Sequence, residues 1–239
     1  MAKPFLTAAW RNLLMANFEI DPAILKPYLP CYTELDSFNG LHMVSLVGFL
    51  FMDTKLKGFS IPFHRQFEEV NLRFYVRYKD VEGWKRGVVF MKEIVPKKAI
   101  SFVANSIYGE KYVTHEMNHH WEQSNGKLKV AYNWKVKGKW DTLSAVAVAE
   151  PSELKEGSQE EFITEHYWGY TRVDQRCSGV YEVQHPKWRI HEVLEHNINC
   201  SAGILYGNAF SEVLDQAPVS VFLAEGSAIS VYPGKKIFK

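Results

Sequence analysis

"FEEVNLRFYVR", residues 67–77, is the stretch on which the reading of this chain turns. It alternates without a break. Glu69, Asn71, Arg73 and Tyr75 are spaced by two, as are Val70, Leu72, Phe74 and Val76, so in a β-strand the two sets project from opposite faces. The apolar row needs a core. The polar row has two possible settings. On a sheet with one solvated face it simply meets water. In a closed barrel it points inward, and a carboxylate, an amide, a guanidinium and a phenol line one cavity. Burying such groups is costly unless they pair with one another or with a ligand. Glu69 and Arg73 are four apart on one face, too far for a short contact in a straight strand, so a polar ligand could bridge them.

Outward from this strand the chain reads as short strands, turns and a few helices. Residues 10–20 read as a strand. In "DPAILKPYLP" (21–30), Asp21 is an N-cap, Pro22 takes the first helical position and Pro30 ends a short helix. "LHMVSLVGFLFM" (41–52) reads as a buried strand opened by the turn "FNG", and "GVVFMKEIV" (87–95) as another. The period changes in "PKKAISFVANSIYG" (96–109), where Ile100, Val103, Ala104 and Ile107 share a helical face, Pro96 starts the helix and Gly109 ends it. "SNGK" (124–127) signals a hairpin, and Leu128, Val130, Tyr132, Trp134 and Val136 alternate along its downstream arm. Ser158 and Glu161 form a capping box for a short helix. "SVFLAEGSAISVY" (220–232) reads as a further hairpin turning at Glu225-Gly226. The polar stretch 150–161 either divides two halves of one fold or forms a long surface loop. The whole suggests a barrel or curved sheet with helices packed on it.

Bulk properties limit the function classes. The 239 residues carry 46% hydrophobic and 23% charged side chains, an ordinary globular mixture. A net charge of +1 gives no footprint for nucleic acid or a membrane surface. "KVKGKW" (135–140) is the densest basic stretch, and it reads as a strand end or turn. Cys31, Cys177 and Cys200 are odd in number and far apart, which suits a reduced, cytoplasmic protein. The N-terminus lacks the unbroken apolar stretch of a signal peptide, and no run approaches a membrane span.

"HEMNHH" (115–120) fits H-E-x-x-H, a zinc signature that requires a helix to bring both imidazoles to one face. His115 and His119 lie instead in the arm leading to the "NG" hairpin. On a strand they would stand roughly 13 Å apart, at about 3.3 Å per residue. One zinc ion cannot bridge them. "HEVLEH" (191–196) misses the inverted signature by one residue. A zinc-dependent hydrolase through His115/His119 is therefore the remote alternative, and no metal site is expected.

"LPCYTELDSFNGLHMVSLVGF" (29–49), "FEEVNLRFYVR", "FITEHYWGY" (162–170) and "HPKW" (185–188), in that order, resemble the YqjF-like family of uncharacterised bacterial proteins. The similarity runs from about Trp10 to the C-terminal strands. That family is similar, distantly, to acetoacetate decarboxylase. The resemblance implies a cone-shaped β-barrel with an interior pocket, and it implies that Glu69 matches a pocket glutamate. The decarboxylase uses a Schiff-base lysine activated by a second lysine. Lys97-Lys98 sits in the first helical turn, where a solvated pair is the common outcome. By order along the chain the lysine falls near "YGEKYVTHEM" (108–117), which offers Lys111 between Glu110 and Tyr112. The adjacent glutamate would raise its pKa and keep it protonated.

The expectation is a mainly β (α+β) fold, an acetoacetate decarboxylase-like closed β-barrel with a few short helices, as one domain over residues 1–239. Its ligand is a small molecule bearing a carboxylate or carbonyl. Arg73, with Asn71 and Tyr75, would hold that ligand, and Tyr112, Tyr167 and Trp188 would complete the binding wall. Glu69 and Lys111 are the candidate catalytic residues of a lyase-like enzyme, and non-catalytic ligand binding is the rival reading. No cofactor, nucleic acid or membrane partner is expected. A homo-oligomer is compatible with the sequence, which does not determine the oligomeric state.

Overall fold

A computed structural model describes residues 3–108 and 110–238. Strand β1 (Leu6–Glu19) ends at helix α1 (Pro22–Leu25). Asp21 caps that helix by accepting from the Ala23 amide at 2.8 Å, and Pro22 sits where no N–H is needed. β2 (Glu34–Leu35) is short. Asn39 (φ 51°) and Gly40 (φ 85°) then turn the chain, with Phe38 and Leu41 exchanging backbone bonds, and launch β3 (Met43–Leu56). β4 (Phe59–Ser60), β5 (Phe67–Asp80) and β6 (Gly83–Val95) follow. Helix α2 (Lys98–Tyr108) starts two residues after Pro96. The stop read at Gly109, and the packing of Val103, Ala104 and Ile107, lie outside the described residues and side chains.

β7 (Tyr112–Thr114) leads into a meander of β8 (Met117–Ser124), β9 (Lys127–Val136) and β10 (Lys139–Val148). Both of its turns have two residues at positive φ, Asn125-Gly126 at 50° and 72° and Lys137-Gly138 at 46° and 85°. These match the twist of the strands they join. The 150–161 stretch resolves into a loop between β10 and α3 (Gln159–Thr164), pinned by a bridge from Ser152 to Ile190. Ser158 Oγ accepts from the Glu161 amide at 3.1 Å, while the Glu161 carboxylate accepts from Gly157 rather than from the cap residue. β11 (Trp168–Arg172), β12 (Cys177–Gln184), β13 (Ile190–His191) and β14 (Val193–Asn199) come next. Helices α4 (Ala202–Leu205) and α5 (Asn208–Leu214) precede β15 (Ser220–Ala224), β16 (Ala228–Val231) and β17 (Lys235–Phe238).

The strand pairings return to their start. β1 pairs β3, β3 pairs β5 and β5 pairs β6, all antiparallel. β6 pairs β11 in parallel, β11 pairs β12, β12 pairs β16, and β16 pairs β1. A second antiparallel sheet, ordered β14-β10-β9-β8, lies against this ring. Its apolar row, with Val130, Tyr132, Trp134 and Leu143, shares a core with Leu14, Val44, Leu46, Leu72 and Phe74. Gly48 makes that contact possible, since a Cβ there would stand 2.7 Å from Tyr132 Cδ2. A separate cluster gathers Leu13, Met15, Phe49, Phe51, Tyr75, Val88 and Trp188 on the inner side. β5 is therefore covered on both faces. Its apolar row faces the second sheet and its polar row faces the interior, the second of the two settings its alternation allows.

Residues 220–232 do not form the expected hairpin. β15 pairs Leu13–Asn17 of β1 and β16 pairs Leu6–Ala9 of the same strand. The Glu225-Gly226 break is a kink between two successive segments that pair one partner. Gly226 (φ 77°) is needed there, because a Cβ would overlap the Trp10 carbonyl oxygen. An isolated apolar–Gly–apolar pattern cannot tell a kink from a turn, because the deciding partner is more than 200 residues away. Among the described residues, no helix is long and apolar enough to cross a membrane.

Candidate functional site

The interior of the ring holds a cavity with about 130 Å³ open to the centres of water-sized atoms. That is room for about ten waters or one small organic molecule. Glu69, Asn71 and Arg73 line it from β5. Phe49, Phe51, Trp10 and Trp188 form an aromatic wall. Trp188 stacks on His185 with centroids 4.0 Å apart and donates from Nε1 to Ser227 Oγ at 2.8 Å, so its ring is held in place.

β6 contributes Glu93 through a break in register. Arg73 pairs with Phe90 and Leu72 with Lys92, leaving Met91 as the extra residue of a bulge. Directly opposed residues share a face, so Glu93 enters beside its partner Asn71. In an unbroken ladder Lys92 would have followed Phe90 into the cavity. Instead its ammonium donates outside to the Leu205 carbonyl. Glu110 and Tyr112, two apart at the start of β7, enter next to Glu93, whose register partner is Tyr112.

Three buried carboxyl groups thus meet in one cavity. Asn71 Nδ2 donates to Glu69 Oε1 at 2.9 Å and the Tyr112 hydroxyl donates to Glu69 Oε2 at 3.0 Å. The Tyr181 hydroxyl serves Glu110. Burial pushes the Glu69 carboxyl up to about 7, against the pull of Asn71, Tyr112 and Arg73. Glu110 rises to about 8, again through burial. Glu93 rises through burial and then through repulsion from Glu110 and Glu69. Close carboxylates in a dry site cannot all ionise. Arg73 supplies the positive charge in the cavity lining, yet no carboxylate lies within ion-pair distance of it among the described residues, and its Nε has no hydrogen-bond partner.

On another wall, His166 is fixed by Asp36. Its Nε2 lies 3.4 Å from Asp36 Oδ2, which also accepts from Arg86 Nε at 2.7 Å. Against the cost of burial, the bonds from His166 and Arg86 hold the Asp36 carboxyl well below the usual range. Burial draws His166 down to about 4, so the ring is neutral at pH 7, and its Nδ1 is buried without a partner.

The other residues singled out from the sequence are placed as follows. Tyr75 faces inward but stands behind the lining, its hydroxyl 2.5 Å from Ser45 Oγ and its ring 4.7 Å from His166. Tyr167 backs His185 at 4.7 Å and donates to Glu165 at 2.6 Å, also outside the lining. Lys111 is exposed, with its ammonium 5.9 Å from the Tyr28 ring, and is absent from the cavity lining. Alternation accounts for this, because Glu110 and Tyr112 face in and the residue between them must face out. Its pKa is lowered, not raised: partial burial outweighs the opposing pull of Glu110. No lysine lines the cavity among the described residues.

His119 lies on β8, a strand, where Nδ1 meets Glu68 at 2.6 Å, and His115 Nδ1 meets the Lys135 carbonyl at 2.7 Å. The helix that the zinc signature requires is not there. Sequence reasoning passed over Glu93, Glu110, Tyr181 and His166. Only for Glu110 was a signal available: the same alternation that excludes Lys111 pairs Glu110 with Tyr112.

The DUF2071 family, described as an uncharacterized conserved protein, matches residues 7–228. The chain belongs to this family. The uncharacterized protein YqjF of Bacillus subtilis is 27% identical over 186 residues, 75% of this chain and 72% of its own length. Among solved structures, an acetoacetate decarboxylase from Legionella pneumophila superposes with a TM-score of 0.66 at 14% identity, covering 99% of this chain and 88% of that one. An acetoacetate decarboxylase-like enzyme from Sphingomonas wittichii reaches 0.69 at 10% identity, covering 99% and 94%. At these identities the likeness concerns the fold. This DUF2071 chain therefore shares the mainly β, acetoacetate decarboxylase-like architecture.

Proposed function

We propose that this protein, as one domain, closes its strand ring as a barrel around a small organic acid bearing a carboxylate or carbonyl. Arg73 holds the anionic end. Asn71, Tyr112 and Trp188 shape the rest of the site, and Glu69 is the acid/base group. The observation that carries this reading is Arg73, a cavity-lining guanidinium with no ion-pair partner among the described residues, beside carboxyl groups whose charged form burial disfavours. A bound carboxylate would complete the bidentate geometry a guanidinium favours. The fold likeness to proteins named as acetoacetate decarboxylases supports an oxo acid as the first ligand class to try.

In the lyase-like form, the C–C bond to the carboxylate of a 3-oxo acid breaks and carbon dioxide leaves. The electron pair moves toward the carbonyl oxygen, which takes a proton from Glu69. With a pKa of about 7, Glu69 is suited to hold and return that proton near neutral pH. A cavity lining without lysine among the described residues favours a second reading, binding without turnover.

Thermal unfolding with a panel of 2-oxo and 3-oxo acids, together with a carbon dioxide release assay, tests both. Stabilisation by oxo acids that disappears in Arg73→Met supports the site. Release of carbon dioxide separates the enzyme from the binding protein. If no acid stabilises the wild type, or Arg73→Met responds equally, the proposal falls.

A further inference from the structure

The proposed site leaves one wall unexplained. Asn71, Glu93 and Glu110 are 1%, 2% and 8% exposed. Asn71 uses its amide nitrogen on Glu69, and its Oδ1 has no donor. Glu93 Oε2 and Glu110 Oε1 also lack partners. These three residues line the cavity from adjoining strands: Asn71 opposes Glu93, Glu93 is in register with Tyr112, and Glu110 shares the face of Tyr112. Each unsatisfied atom on this wall is an oxygen, whereas the unsatisfied atom of Arg73 is a nitrogen donor. Buried polar atoms are normally paired, so a cluster of orphans in a cavity points to a missing partner. What is missing here is a group rich in N–H donors.

Charge points the same way. Three carboxyl groups share this space, and Lys92, the lysine nearest in sequence to Glu93, is turned outside by the Met91 bulge. Retaining such a cluster lowers stability unless something compensates it. A metal ion is a poor match, since among the described residues no group of three or more His, Cys, Asp or Glu side chains is arranged to hold one. A protonated nitrogen has softer geometric demands. An ammonium offers three N–H donors and a guanidinium five.

We propose that the ligand of this cavity carries a protonated nitrogen, an amine or a guanidine, seated among Glu69, Glu93, Glu110 and the Asn71 carbonyl, with its acidic end toward Arg73. This rests on the reading of the cavity as a small-acid site and narrows the ligand to a zwitterion. The cavity size limits it to about the bulk of an amino acid.

Matched probes test it by calorimetry on the intact protein: butanoate, 4-aminobutanoate and butylamine. The expected result is 4-aminobutanoate binding at least about tenfold tighter than butanoate, a clear increment of binding free energy. In Glu93→Gln/Glu110→Gln that advantage disappears while butanoate binding persists, which also shows that the variant is folded. Equal binding of butanoate and 4-aminobutanoate to the wild type overturns this inference and leaves the acid site standing. Butylamine binding with no response to butanoate supports the nitrogen subsite and overturns the role of Arg73. If none of the three probes binds, both fall.

Discussion

Asn71 and Glu93 oppose each other across the β5–β6 ladder, both facing the cavity, because Met91 has no partner in β5. One extra residue decides which charge enters. With the bulge it is a glutamate. Without it, alternation would bring in Lys92.

The carboxyl cluster makes stability depend on alkaline pH. Glu69 titrates at about 7 and Glu110 at about 8, against 4.5 for an unperturbed glutamate. Above pH 4.5 the folded protein retains protons that the unfolded chain has lost. Stability is therefore full below pH 4.5 and falls as pH rises through 7 and 8. The slope is roughly 1.4 kcal/mol per pH unit for each proton concerned. Denaturant titrations at pH 5 and pH 9 should show Glu110→Gln close to the wild type at the first and more stable at the second. A wild type equally stable at both would contradict the shifts.

Asp36 acts at the other end of the pH scale. Its folded pKa lies below the ordinary 3.8, so its contribution is present above pH 3.8 and disappears as pH falls further. Asp36→Ala strips partners from buried His166 and from Arg86, whose side chain is 35% exposed. Given that exposure, the expected loss at pH 7 is about 2 kcal/mol, below the range for fully buried pairs. The deficit relative to wild type should shrink at pH 3, measured by the urea midpoint at both values.

Gly226→Ala should destabilise strongly. It forces a side chain onto positive φ and onto the Trp10 carbonyl, in the kink where two strand segments share β1. A loss of about 2–3 kcal/mol is expected from backbone strain and overlap together. Chemical unfolding reads it directly, and a loss below 0.5 kcal/mol, roughly the scatter of neutral surface changes, would mean the kink relaxes freely.

Lys111 should not become covalently trapped. Borohydride reduction with oxo acids, followed by peptide mass analysis, is expected to leave Lys111 unmodified, because its side chain turns away from the cavity lining, toward the Tyr28 ring. A stoichiometric adduct on Lys111 would show that the loop before β7 rearranges on ligand binding.

Local features were legible in the chain. Asp21 and Pro22 announce α1, Asn125-Gly126 announces the β8–β9 turn, and the alternation of 67–77 announces β5, because each is determined by residues within a few positions. The strand reading of the zinc-like string rests on the same local grounds, since "NG" places His119 on a strand. The hairpin read at 220–232 failed because both its arms choose β1, a partner from the opposite end of the chain. Glu93 was missed because a bulge reverses the parity that alternation assumes. Lys111 drew attention through its place in chain order beside the decarboxylase's lysine, while alternation had already assigned the inward places to Glu110 and Tyr112.

By itself, then, the sequence determined several of the strands and turns, the two faces of β5 and the presence of a polar row that needed either water or a ligand. These follow from side-chain periodicity and backbone preference, which act over a few residues. Only the tertiary structure decided that the polar row faces inward, that Glu93 and Glu110 join Glu69, and that Arg73 stands without a carboxylate partner among the described residues. Those outcomes depend on which distant strands pair and in what register. A single unpaired residue, Met91, is enough to change the charge of the cavity.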